Sequence, residues 1–271
     1  MLVICCGMLR SGSTLQYQLA VAILEKTGQG SGLGDPRNVD CLELVNANPS
    51  MQVLKVHKFQ HLQHVEAAID RRQAKCLYTY RDVRDVAVSL MNMRNIGFEE
   101  LIFRNQEVQQ SLSDFQAWTS FDDVLISRYE EMVSDIPQEV LRIAKHLNIE
   151  LSTEDAIAIA ENHSLDKQKK RIQQWKQGDD FNPGNHEAKS LLHHNHINSG
   201  RSQQWCETLT PIQIAYLESL TGTWLRDRGY SLSQPFLLQK ASQILYSRYK
   251  LMGKLGRLQH HLQHGTFLPR F

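Results

Sequence analysis

Through its first 130 residues the chain alternates short apolar runs with segments of helical period, the pattern of βαβ units feeding a parallel sheet. Leu2–Cys6, Gln52–Val56, Lys75–Tyr80 and Val124–Ser127 read as strands, each short, rich in branched or aromatic residues and followed by polar positions. Thr14–Lys26, Leu62–Arg72, Val83–Met93, a stretch within Phe98–Trp118, and Pro137–Leu147 carry the helical spacing. The glycine-rich segment Gly28–Gly34 reads as a break after the first helix. The second half is helical and more polar, with Ser152–Asn162 and Pro211–Arg226 as capped helices, Thr210 and Pro211 matching N-cap and N1 preferences. Gln177–Ser202, rich in Gly, Asn, His and Ser, reads as a long loop, and long ordered loops are usually functional. The expectation is an α/β domain with a central parallel sheet flanked by helices over residues 1–230. A helical C-terminal extension, basic and amphipathic, follows over 231–271 and docks on that domain.

In the extension Ile244, Leu251 and Leu258 are seven apart, and Leu255 and Leu262 continue a second stripe. Arg248, Lys250, Lys254 and Arg257 flank them, and no Asp or Glu occurs in 231–271. Such a segment docks on its own domain or offers an association surface to a membrane, a partner or a second subunit. Gly253 and Gly256 each lower helix propensity by about 1 kcal/mol relative to Ala, so the segment needs tertiary support.

A formal net charge of +1 gives no global argument for nucleic acid, so any anion site must be local. The five cysteines, Cys5, Cys6, Cys41, Cys76 and Cys206, lack metal-type spacing and suit reduced thiols in a cytoplasmic protein. No apolar run approaches the roughly 20 residues of a membrane span.

The strongest chemical signal follows the first strand, in Gly7-Met8-Leu9-Arg10-Ser11-Gly12-Ser13-Thr14. A strand, a Gly/Ser-rich turn and a helix N-terminus present free N–H groups at the positive end of the helix dipole, a cradle for phosphate. Gly7 and Gly12 have P-loop spacing, but Ser13 stands where that motif has Lys, and the cation is Arg10. A kinase loop also needs a Mg²⁺-holding carboxylate at a neighbouring strand end. Gln52–Val56 runs instead into His57 and Lys58, and Lys75–Tyr80 into Arg81. Basic strand ends suit an anionic donor handled without metal.

Arg10-Ser11-Gly12-Ser13-Thr14 resembles the 5′-phosphosulfate loop of sulfotransferases that use 3′-phosphoadenosine-5′-phosphosulfate (PAPS), with Arg for the usual Lys. Arg81-Asp82-Val83-Arg84-Asp85-Val86-Ala87-Val88-Ser89 resembles the 3′-phosphate segment of that family, its Arg81 and Ser89 retained and the usual Pro replaced by Val83. Tyr129-Glu130-Glu131-Met132 is similar to the family's Y-E-D-L, whose Tyr lies by the adenine. Gly200, Trp205 and Thr210 keep the spacing of the family's last motif, although Asn198-Ser199 precede the glycine and the basic residue, Arg201, follows it. The family's adenine-packing Trp is Leu15 here. The resemblance covers residues 2 to about 228 and implies a three-layer, P-loop-like α/β fold and sulfuryl transfer from PAPS to an acceptor hydroxyl or amine by in-line displacement, releasing adenosine 3′,5′-bisphosphate (PAP). It places the co-substrate on Arg10, Ser11, Gly12, Ser13, Thr14, Arg81, Ser89, Tyr129, Ser199, Gly200 and Arg201, with a small molecule or glycan as acceptor and neither metal nor nucleic acid.

Lys55-Val56-His57 is similar to the K-x-H of the cytosolic branch, in which the His is the general base. Chemistry agrees, because an attacking hydroxyl must lose a proton and an imidazole titrating near neutrality accepts one well. Lys55, with Arg10, would neutralise charge on the oxygen bridging sulfur and phosphate. Other branches use a carboxylate after the first helix, where Asp35 and Asp40 lie. Helically spaced His57, His61 and His64, and clustered His193, His194 and His196, are set aside as metal sites for want of paired carboxylates. Trp118, Trp175 and Trp224 read as core or edge aromatics. Two other readings stay open: a kinase with an aberrant P-loop, disfavoured by Ser13, and a binding module that lost activity, disfavoured by Lys55 with His57.

Overall fold

A computed structural model describes residues 1–36, 38–178, 181–182, 186–187, 190–195 and 200–251. The elements run β1 (Leu2–Gly7), α1 (Ser13–Thr27), β2 (Gly30–Gly34), β3 (Val39–Asp40), α2 (Cys41–Ala47), β4 (Met51–Lys55), β5 (Leu62–Gln63), α3 (Val65–Asp70) and β6 (Ala74–Tyr80). There follow α4 (Val83–Arg94), α5 (Glu107–Trp118), β7 (Val124–Arg128), α6 (Tyr129–Ser134), α7 (Ile136–His146), α8 (Thr153–Asn162), α9 (Leu165–Lys176), α10 (Trp205–Thr208), α11 (Pro211–Asp227) and α12 (Phe236–Leu245). The chain divides into two compact units, Met1–Arg81 with Leu112–Gly200, and Asp82–Ser111 with the described residues from Arg201 on.

The first unit is built on a five-stranded sheet in the order β2-β4-β1-β6-β7. Every pairing is parallel, with Leu2 opposite both Gln52 and Ala74. A sheet buried on both faces needs near-continuous apolar strands, and β1 is buried along its whole length. Alternation divides its side chains between two layers. Val3 and Cys5 join Val53 and Leu77 against Leu19, Ile23 and Leu24 of α1, Val140 and Ile143 of α7, and Ala156 of α8. The other face holds Tyr78, edge-on to Phe115 at 5.4 Å, and the same layer includes Trp118, edge-on to Phe59 at 5.0 Å. This is the expected α/β architecture of helices on both faces of a parallel sheet. All five cysteines are free thiols. Burial, the largest cause, pushes the Cys76 thiol up to about 12, so it is not a nucleophile at neutral pH.

Two expectations are corrected. Within Gly28–Gly34, Gly28 ends α1 as its left-handed C-cap, but Gly30–Gly34 is the edge strand β2, parallel to β4 from Gly30↔Met51 onward. A Cβ on Gly30 would meet the Met51 carbonyl oxygen at 2.0 Å, and one on Gly32 the Tyr17 hydroxyl at 2.4 Å. Glycine here allows close approach rather than a turn, and the Gly34 N–H donates to the Tyr17 hydroxyl at 3.0 Å. The single helix expected over Leu62–Arg72 is instead β5, paired with β3, then α3. His64, at φ 53°, turns the chain between them while its Nδ1 meets Asp40 Oδ2 at 2.8 Å. The helix expected within Phe98–Trp118 is α5, and a π-helical turn, Glu100–Arg104, precedes it, the two separated at Gln106 with φ 54°.

In the second unit, Thr210 and Gln213 close the capping box that starts α11, with Pro211 at N1. Buried Arg84 donates to Asp82 Oδ2 at 2.8 Å, Glu218 Oε1 at 2.7 Å and the Ser231 carbonyl at 3.0 Å, and lies 3.9 Å over Trp205. Glu218 also accepts from the N–H groups of Ser233 and Gln234. A buried cation persists only with partners this complete. Asp85 accepts from the backbone N–H groups of Gln203 at 2.8 Å and Trp205 at 3.3 Å, fixing the start of α10.

Candidate active site

Within the first unit, β1 feeds β2 and β4 on one side, and β6 feeds β7 on the other. The sheet therefore changes winding direction between β1 and β6, where open α/β proteins bind ligands beyond the strand C-termini. The loop 8–12 leaves β1 at this point. Its first turn is welded to β6: Met8 N–H donates to the Thr79 carbonyl at 3.0 Å, and the Ser11 hydroxyl reaches the Met8 carbonyl at 2.6 Å and Thr79 Oγ1 at 2.8 Å. A Cβ on Gly7 would meet Thr79 Oγ1 at 2.2 Å, so only glycine lets the loop start this close to β6. Arg10 takes a left-handed φ of 67° and Gly12 one of 89°. Gly12 is the N-cap of α1, with no side-chain cap and no acidic residue in the first turn. The first N–H groups of α1 thus receive no N-cap side chain at the positive end of its dipole.

Tyr129, at the start of α6, gathers three predicted residues around its ring. A Cβ on Gly12 would come within 2.9 Å of it, the Arg81 guanidinium lies 4.4 Å from its centroid, and its hydroxyl donates to the Gly200 carbonyl at 3.3 Å. Arg81 is 4 % exposed and also donates to the Arg10 carbonyl at 3.5 Å. Arg10 itself reaches the Asn195 carbonyl at 3.4 Å. Burial, then the like charge of Arg81, lowers the Arg10 pKa, so the pocket of cations favours an anion.

Lys55 and His57 lie at the end of β4, the neighbour of β1 on its other side. Lys55 Nζ is 3.1 Å from His57 Nε2, and His57 Nδ1 is 3.1 Å from the Gly7 carbonyl. A lysine ammonium only donates, so Nε2 accepts and Nδ1 carries the proton given to Gly7. Burial first, then Lys55, holds the His57 pKa down to about 3, with Arg10 adding a smaller push and the Gly7 bond opposing. Lys55 is lowered by burial, while Asp35 raises it. Asp40, the other candidate carboxylate, caps α2 through the Leu42 and Glu43 N–H groups and pairs with His64. Despite partial desolvation, these bonds leave its pKa lowered, and its oxygens are engaged in structure.

Of the remaining predicted residues, Ser13 is buried and Thr14 partly exposed in the first turn of α1. Ser89 is partly exposed on α4, and Arg201 pairs with Glu207 at 3.4 Å, both within the second unit. Ser199 and His196 lie outside the described residues. Leu15 packs against the apolar core. Among the described residues no group of three or more His, Cys, Asp or Glu is disposed to hold a metal. Sequence reasoning missed Thr79, whose signal is only its place two residues before Arg81 on an apolar strand.

The sulfotransferase domain pattern matches residues 2–229. The chain therefore belongs to the sulfotransferase family, enzymes of sulfuryl transfer, with PAPS as donor. The fold is similar to that of mouse sulfotransferase SULT7A1 complexed with PAP, with a TM-score of 0.61, 16% identity, and coverage of 92% of this chain and 88% of that one. It is also similar to retinol dehydratase complexed with retinol and PAP, at a TM-score of 0.56, 18% identity and coverage of 86% and 83%. The same enzyme with androsterone and PAP gives 0.57, 18%, 86% and 82%.

Proposed function

We propose that this sulfotransferase holds the 5′-phosphosulfate of PAPS on Arg10, Ser11, Gly12, Ser13 and Thr14 at the α1 N-terminus, and the 3′-phosphate on Arg81, with the adenine beside Tyr129. Gly200 joins this set through its bond to Tyr129. Ser89, Ser199 and Arg201 keep the 3′-phosphate role on motif alone. The acceptor is a small molecule or glycan bearing a hydroxyl or amine, a reading supported by the retinol and androsterone held by retinol dehydratase.

One observation carries the chemistry: the chain Lys55–His57–Gly7, with both links at 3.1 Å, at the mouth of the phosphate loop. His57 Nε2 takes the acceptor proton as the acceptor oxygen bonds to sulfur. The bond from sulfur to the bridging oxygen breaks, the electron pair stays on that oxygen, and Lys55 and Arg10 neutralise it as PAP departs. The donor also prepares its own base. With no anion present, burial first, then Lys55 and to a smaller extent Arg10, hold the imidazolium down. The phosphosulfate offsets both cations and draws Lys55 from Nε2, so His57 becomes more basic when the donor is in place.

A thermal-shift panel tests donor class. PAP should raise the melting temperature in proportion to ln(1 + [L]/Kd), reaching about 2.7 kcal/mol of added stability at a hundredfold excess over Kd, whereas ATP with Mg²⁺ should leave it unchanged. Stabilisation by ATP alone would overturn the reading. An acceptor screen with labelled PAPS then names the acceptor class.

A further inference from the structure

The C-terminal helix docks by one face and leaves the other open. Ser242 is fully buried and Tyr246 is 5 % exposed, its ring 4.8 Å from Tyr216 and 5.5 Å from Phe103 within the same unit. The Tyr246 hydroxyl donates to Glu99 at 3.2 Å. Helical bonding continues past α12, with Tyr246 N–H on the Ser242 carbonyl and Lys250 N–H on that of Tyr246. On the opposite side stand Leu237 at 80 %, Ile244 at 75 %, Phe236 at 66 % and Leu251 at 60 % exposure. At about 100° per residue these four, with Lys240 and Arg248, occupy roughly one third of the helix circumference, facing away from Ser242 and Tyr246. Lys240 lies 5.3 Å over the Phe236 ring, so a cation sits within the apolar stripe rather than apart from it.

We propose that this face rests on an anionic membrane surface, its apolar stripe at the level of the acyl-chain boundary and Lys240, Arg248 and Lys250 among the headgroups. Charge decides between occupants. A second copy meeting the face by a two-fold axis would set the same cations against each other. The chain's own residues 252–271 add Lys254, Arg257 and Arg270 and no acid, so they repel it as well. An anionic lipid surface supplies what both lack, apolar depth together with negative charge. No helix among the described residues is long and apolar enough to cross a membrane, so the helix lies on the surface rather than spanning it. This inference is independent of the donor and acceptor assignments.

Vesicle flotation of the full chain tests it, with phosphatidylcholine alone and mixed with phosphatidylserine, at low and physiological salt. The expected result is capture by the anionic vesicles, weakened by salt, with little on phosphatidylcholine. The double variants Leu237→Gln/Ile244→Gln and Lys240→Glu/Arg248→Glu should each lower the bound fraction about tenfold or more, with unchanged melting because all four side chains are exposed or at the rim. Equal capture by both vesicle types, no capture of the wild type, or variants that bind like it would overturn the proposal. So would a concentration-dependent dimer abolished by Leu237→Gln/Ile244→Gln, which would assign the face to a second copy.

Discussion

His57→Ala should lose turnover by roughly 10²–10⁴-fold while PAP affinity stays nearly unchanged. The split follows from the geometry. The imidazole touches Lys55 and the Gly7 carbonyl, whereas the loop is fixed by separate bonds from Met8 and Ser11 to Thr79. Removing the ring therefore deletes the proton acceptor and spares the anion cradle. Asp35→Ala is the companion variant, because Asp35 acts on Lys55 and is the carboxylate left once Asp40 is engaged with His64 and α2. A dead Asp35→Ala beside an active His57→Ala would transfer the base to the carboxylate. Histidine NMR adds a test free of turnover. With the imidazolium disfavoured, the free protein should keep a neutral, Nδ1-protonated His57 down to a midpoint near pH 3. Because the depressed value comes partly from Lys55 and Arg10, saturating PAP should move that midpoint upward. A free-protein midpoint near the ordinary value of about 6.5 would contradict the Lys55 contact.

The same contrast between local and distant causes explains what could be read from the sequence. The parallel sheet was legible because strands buried on both faces must be apolar throughout, as in Leu2–Cys6. The phosphate loop was legible because each of its glycines answers a local demand: Gly7 the approach to Thr79, Gly12 the left-handed cap of α1. Lys55 and His57, two apart at a strand end, come together without any long-range information. The misread segments depend on partners far along the chain. Gly30 and Gly32 signal a turn locally, and only Met51 and Tyr17 make them a strand. His64 ends up between β5 and α3, paired with Asp40, 24 residues away. Within helix α9, nothing local announces Gln168, whose amide binds Gln18 across 150 residues. Tyr129 was named by its motif, yet its grouping with Gly12, Arg81 and Gly200 is a product of the fold.

Arg81→Ala should weaken PAP by about 1.5–3 kcal/mol, tenfold to somewhat over a hundredfold in Kd, the contribution of a buried charge-assisted contact. The side chain is 4 % exposed, so its bonds to an anion form with little competition from water. Its stack on Tyr129 at 4.4 Å holds the guanidinium plane before any ligand arrives, which lowers the ordering cost of binding. Arg10 sharpens the effect, since the two guanidinium groups repel and a bisphosphate relieves both at once. Arg81→Lys separates charge from shape: it keeps the cation but loses the planar stack and the fork, so it should fall between wild type and Arg81→Ala. Tyr129→Phe keeps the ring under Arg81 and loses the 3.3 Å bond to Gly200, so it should cost about 1 kcal/mol. Titration calorimetry with PAP at fixed salt measures the series, with His57→Ala as the variant expected to bind normally. If Arg81→Ala binds PAP as tightly as wild type, the 3′-phosphate lies elsewhere, and the cluster around Tyr129 has been assigned to the wrong end of the nucleotide.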